Sequence, residues 1–170
     1  MKKLTLVLFI VACAFTASAQ KFALVDMEYI LKNIPQYEMA NEQLNQLSQR
    51  WQKEVEAKFK EAETLYKNYQ ADMVFLTDDQ KKKKEEEITS KEKEAVDLRN
   101  KYFGQDGELS SKRQSLLKPI QEDIYNAVKK VSEEKGYQVI FDRASSASII
   151  FASPRIDVSN EVLAKLGYSK

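Results

Sequence analysis

From Tyr37 onward the sequence carries one long apolar stripe. Tyr37, Ala40, Leu44, Leu47, Trp51, Val55, Phe59, Ala62, Leu65, Tyr69, Met73 and Leu76 recur in steps of three or four residues. That spacing places them along one narrow line of a helix, the pattern of a coiled-coil seam. Thr77-Asp78-Asp79-Gln80 then reads as a capping box, in which Thr77 and Gln80 each satisfy the other's backbone N–H. Asp78 and Asp79 suit the positive end of a new helix. A helix that starts directly after another predicts a tight reversal near Leu76–Thr77; one uninterrupted rod is the alternative.

A second stripe follows at seven-residue spacing: Ile88, Ala95, Tyr102, Leu109 and Leu116. Its companion row is poor, because beyond Leu98 it falls on Lys91, Gln105 and Lys112. For a reversal at this place, the numbers of facing residues sum to about 154. Leu65 then meets Ile88, Phe59 meets Ala95, Trp51 meets Phe103 and Leu44 meets Leu109. Pro35 and Pro119 fall opposite each other by the same rule and mark the root, with a kink expected at Lys118–Pro119. Gly104 and Gly107 lie inside the expected second helix, each costing about 1 kcal/mol relative to Ala. They read either as a hinge or as packing relief opposite Trp51.

The flanks have a different rhythm. Lys21–Val25 reads as a strand, and Asp26 can cap a short helix, Met27–Asn33. After Pro119 the apolar face widens through Ile120, Ile124, Ala127, Val128 and Val131, and Gly136 is a natural helix end. Tyr137–Asp142 reads as a buried strand and Ser148–Ala152 as another, with a polar turn between them. Ser159 can cap a last helix containing Val162, Leu163 and Leu166, which Gly167 ends. The fold class expected is therefore α+β: a long antiparallel helical hairpin, residues 36–118, on a small β-containing body, residues 20–35 and 119–170. Three short strands cannot close a barrel alone, and open apolar edges invite pairing between subunits. A homo-oligomer is expected, with Phe22, Leu24, Val139, Phe141, Ile149 and Phe151 as candidates for its core.

Residues 1–19 have the layout of a secretory signal peptide: Lys2 and Lys3, an apolar run from Leu4, and Ala17-Ser18-Ala19 as the small-residue cleavage site. The run is shorter than the ~20 residues needed to span a bilayer. Lipid attachment at Cys13 is the competing use of this segment, though the Ala17–Ala19 site is better placed. Cys13 is the sole cysteine and the sequence has no histidine. The mature chain then lacks a thiolate, the commonest general base and the commonest transition-metal ligand. No catalytic, cofactor-binding or metal-binding residues are expected. Removing the leader leaves 25 basic side chains against 26 acidic ones, which does not suit a general nucleic-acid binder.

Tyr66, Tyr69, Met73, Val74, Phe75 and Phe103 exceed what a narrow two-helix seam can cover. Adaptable Met and aromatic side chains suit weak binding of many apolar segments; seam packing or contact between arms is the plainer use. Lys81, Lys82, Lys83 and Lys84 form a basic run just past the expected tip. It reads as a contact for membrane headgroups or acidic segments, or as a solvated helix face paired with Glu85–Glu87.

The opening KFALVDMEYILKNIP, the charged hairpin, the strand YQVIFD and the ending IDVSNEVLAKL together resemble the Skp/OmpH family of periplasmic chaperones over essentially the whole mature chain. That resemblance implies a homotrimer whose strands form a central barrel, with three arms around a cavity. It implies an ATP-independent holdase for unfolded outer-membrane proteins, without cofactor and without a chemical step. The near-neutral charge departs from the strongly basic balance of the family's best-known members. A structural coiled-coil adaptor of the cell envelope is the alternative; it would want both seam rows filled.

Overall fold

The computed structural model describes residues 21–146 and 149–168. The leader, Cys13 and Ser148 lie outside the described residues. In chain order the elements are β1 (Phe22–Val25), α1 (Met27–Lys32), α2 (Pro35–Asp72), α3 (Asp78–Phe103), α4 (Glu108–Lys135), β2 (Val139–Asp142) and α5 (Ser159–Lys165), with 3-10 turns at Met73–Phe75 and Pro154–Ile156. They divide into two compact units: a body, up to Ile34 and from Glu122 onward, and a hairpin unit, Pro35–Gln121.

In the body, β1 and β2 pair in parallel, with Phe22 opposite Val139 and Val25 opposite Asp142. A parallel pair needs a long crossover, and here the whole hairpin is that crossover. The other side of β1 is taken as well: Leu24 bridges to Asp157, and the Val158 N–H donates to the Leu24 carbonyl at 2.8 Å. β1 is therefore interior, and among the described residues the free edge belongs to β2. Ala23, Val25, Ile30, Ile124, Ala127, Val131, Val158, Val162 and Leu163 form the buried core.

Several ends follow their sequence signals. Asp26 caps α1 by accepting the Tyr29 N–H at 2.9 Å. Gly136 and Gly167 adopt φ of 71° and 87°, the left-handed conformation that glycine takes without a side-chain clash. The next N–H reaches back in each case, from Tyr137 to Ser132 and from Tyr168 to Leu163, closing the helices as Schellman motifs.

Other expectations are corrected here. The strand at Ser148–Ala152 is absent over the described residues 149–152; Ile150 is fully exposed, at 100%, and Phe151 is 84% exposed. An apolar run becomes a strand only where a backbone edge meets it, and none does among the described residues. β2 is shorter than Tyr137–Asp142, and its outer face is half exposed rather than buried. Leu24, a candidate for an oligomer core, is covered by its own chain at 4% exposure. Ser159 does not cap α5; Val158 holds that position. The Ser159 hydroxyl is buried, accepts the Asp26 N–H at 2.8 Å and donates to Asp157 at 2.6 Å.

In the hairpin unit, Pro35 opens α2 at the position where a missing N–H costs nothing. The reversal falls where the capping box predicts. The Thr77 N–H donates to Gln80 Oε1 at 2.9 Å, and the Gln80 N–H returns to Thr77 Oγ1 at 3.4 Å. Ala40, Leu44, Val55, Ala62 and Tyr69 of α2, with Ile88 and Ala95 of α3, are the buried seam. Trp51 meets Tyr102 rather than Phe103: their rings stack at 4.7 Å with planes 6° apart. Phe103 packs edge-on against Tyr102.

Gly104 and Gly107 do not sit inside a helix. α3 stops at Phe103, Gly104 is extended, and α4 starts at Glu108. A Cβ at Gly104 would lie 2.4 Å from the Asn100 carbonyl oxygen, and one at Gly107 would lie 2.8 Å from that of Tyr102. The crowding is with the chain's own backbone, not with Trp51. At Pro119 the helix is not interrupted; α4 runs through it to Lys135.

Candidate functional site

Among the described residues no cluster of Asp, Glu, His or Cys could hold a metal ion, and no helix is long and apolar enough to cross a membrane. The hollows along the hairpin described below are open grooves. What the chain presents instead is apolar surface at three places, each with a local cause.

The first is the tip. The helix gives way to a 3-10 turn at Met73–Phe75, none of whose residues is buried, before Thr77 caps α3. Met73, Val74 and Phe75 point outward, Val74 at 77% and Phe75 at 85% exposure. The basic run lies on the first turns of α3. Lys81 pairs with Asp78 at 3.6 Å and Lys84 with Glu87 at 3.3 Å. Lys82 and Lys83 have no ion-pair partner among the described residues. The four lysines thus divide into two held by their own helix and two facing solvent.

The second is the flank of the hairpin. Phe59, Tyr66 and half-buried Val96 surround buried Ala62 in an open groove of about 740 Å³, rimmed by Glu56, Lys60, Glu63 and Glu92. Tyr69 does not join them. It is buried in the seam, and its hydroxyl donates to Glu85. That hydrogen bond to a carboxylate raises the Tyr69 pKa above the usual tyrosine range. Tyr102 is raised likewise by its 2.7 Å hydrogen bond to Glu54. A second open groove, about 750 Å³, lies beside the Gly104–Gly107 break and is lined by Leu47, Trp51, Lys101, Gly107, Glu108 and Lys112 among others. The Lys101–Glu108 pair, 3.4 Å apart, spans that break. Phe103 is partly exposed there.

The third is the outer face of the sheet. The register puts Phe22, Val139 and Phe141 on one face, and all three are about half exposed. Ile149 is half-buried, while Ile150 and Phe151 are open. Ile150 and Phe59 were not singled out by sequence. Ile150 sits in an apolar run whose alternation does not say which residue faces out, and Phe59 sits on the seam stripe itself.

Beside that sheet, a polar cluster fixes the loops. Arg143 pairs with Asp26 at 3.0 Å and with Asp157 at 3.4 Å. Burial pushes the Asp142 carboxyl up, but hydrogen bonds from Ser145, Met27 and Ala144 outweigh it and hold that carboxyl below the usual aspartate range. Every strong group there is already matched, so its work is structural. Taken together, the exposed features can make many shallow apolar contacts and no deep one.

A family model described as "Outer membrane protein (OmpH-like)" matches residues 21–166. No protein of curated function matches the sequence. Among solved structures, a candidate OmpH-like outer membrane chaperone from Caulobacter crescentus CB15 superposes with a TM-score of 0.68 at 13% identity, over 88% of this chain and 85% of that one. At that identity the likeness concerns the fold, long helices carrying a small sheet.

Proposed function

The chain belongs to the OmpH-like outer-membrane-protein family, and from that membership we propose that it is a chaperone of the cell envelope. In finer terms, it is an ATP-independent periplasmic holdase that takes unfolded outer-membrane β-barrel proteins between helical arms. The observation that carries this reading is the apolar surface of the hairpin, where Phe59, Tyr66, Val74 and Phe75 stay exposed. Exposed apolar patches of this kind mark interaction surfaces. Several weak contacts on one arm, repeated on others, would give avidity without one tight site. No chemical step is required.

An oligomer is part of the reading, because one arm alone encloses nothing. The half-exposed face of Phe22, Val139 and Phe141, the free edge of β2 and the open Ile150–Phe151 segment support pairing between copies, and the family resemblance implies three of them. Export rests on the pattern of residues 1–19. The mass of the purified mature chain distinguishes cleavage after Ala19 from lipid attachment at Cys13. The exposed Lys82 and Lys83 on the first turns of α3, with exposed Phe75 in the turn before them, support a weak contact with membrane headgroups at the tip.

The test is aggregation of an unfolded outer-membrane β-barrel protein on dilution from urea, with and without the mature chain, in the absence of ATP. Suppression at stoichiometric amounts is expected, and no suppression overturns the holdase. An envelope adaptor would leave the aggregation curve unchanged. Light scattering of the chaperone alone should give three times the chain mass.

A further inference from the structure

The groove on the hairpin flank has a composition that selects among clients. Its floor is aromatic and apolar, from Phe59, Ala62, Tyr66 and Val96, and its rim is mainly acidic. Of the rim residues, Glu63 is matched by Lys67. Glu56 accepts only a neutral hydrogen bond, from Gln52 at 3.1 Å. Glu92 has no partner among the described residues, and Lys60 is in no ion pair there. Two unmatched carboxylates and one ammonium therefore face an aromatic floor. Ring faces and carboxylates attract the same kind of group, a cation with an apolar stem. Acidic segments gain nothing from this rim beyond Lys60.

We infer that this groove receives Lys or Arg side chains flanked by apolar residues, so that the arm prefers basic amphipathic stretches of an unfolded chain. This rests on the holdase reading and adds a preference to it. The cation would lie over Phe59 or Tyr66 with Glu56 and Glu92 within reach, while the flanking apolar side chain covers Ala62 and Val96. The groove beside Trp51 lacks this bias, since its Lys101 and Glu108 are paired with each other.

Three unstructured fluorescent peptides of equal length test it, one alternating Phe with Arg, one Phe with Glu and one Phe with Ser. Binding to the full mature assembly is followed by anisotropy at low and moderate salt. The Arg peptide should bind about three- to tenfold more tightly than the Glu peptide, and salt should narrow the gap. In the Glu56→Gln, Glu92→Gln variant the gap should close while the Ser peptide binds as before. Both positions are exposed, so the variant should fold, and circular dichroism confirms it. Equal binding of Arg and Glu peptides, a gap unmoved in the variant, or no binding of any peptide overturns the inference. The aggregation assay on the same samples separates the two readings: suppression without a charge preference sinks only the groove, and loss of suppression in the unsubstituted chain sinks the holdase.

Discussion

In the body, Ile30, Ile124, Val131 and Val162 are almost wholly enclosed and come from three different helices. In the hairpin, the buried residues of α2 are strung along a single line, Ala40, Leu44, Val55, Ala62 and Tyr69, and two of the five are alanines. A body residue touches several elements at once. A seam residue touches one partner helix and then solvent. The body thus has a core in the ordinary sense, whereas the hairpin is a ribbon held along one edge.

The largest effect should come from the body. Ile124→Ala leaves a hole that neighbouring elements cannot jointly close, with a loss of about 2–5 kcal/mol in urea denaturation. Val55→Ala in the seam should cost less, about 1–2 kcal/mol, because the helix pair can move together to fill the space. Equal losses would remove the distinction between core and ribbon. Next comes the break between α3 and α4. Gly104→Ala pushes a methyl into the Asn100 carbonyl and should cost about 1–3 kcal/mol. Hydrogen exchange should show the opening confined to amides around residues 100–108, with the body amides unchanged. Opening spread through the body would mean that the two regions are not separable.

The smallest effect is in pH, and its sign should differ between the regions. The Asp142 carboxyl is held low, so its contribution to the body is present above its unfolded pKa and is lost as pH falls through the folded value. Asp142→Asn should flatten that acid limb. In the hairpin, the Tyr69 and Tyr102 hydroxyls are held high, so their contribution is present below the ordinary tyrosine range and is lost as pH rises through the folded values. Tyrosine absorbance and the emission of Trp51, which stacks on Tyr102, should change together on the alkaline side. Acid sensitivity of the Trp51 signal with the body intact would reverse the assignment.

Much of the hairpin was legible in the sequence because its signals are local. Pro35, Thr77 with Gln80, and the three-to-four spacing each act within a turn or two, and the reversal they predict is the one that forms. The sum rule placed Trp51 within one residue of its partner. What stayed hidden depended on distant or missing neighbours. The Ser159 hydroxyl reads as a cap in sequence, but the Asp26 N–H, far away in the chain, takes it. Ser148–Ala152 reads as a strand, yet a strand needs a partner, and among the described residues none pairs with 149–152. Gly104 and Gly107 read as a cost inside a helix, but they mark the end of one, where backbone contacts leave no room for a Cβ. At the surfaces, the excess of aromatic residues was visible, but which of them the seam would take was not; Tyr69, on the stripe, went inside and its hydroxyl found Glu85.

The parallel pairing of β1 with β2 also bears on how the molecule assembles in time. The Met27 N–H and the Asp142 carboxylate that receives it are 115 residues apart. Closing a loop of that length loses entropy, growing by only about 0.6 kcal/mol for each doubling of length, but the search is slow when contacts are this remote in sequence. The signals for a reversal at Thr77 are local, so we expect it to form before the remote strands pair. In that order of events the hairpin acts as a splint: lengthening it by whole turns on both sides should leave the route to the body almost unchanged, whereas loosening its seam should slow the pairing of the strands.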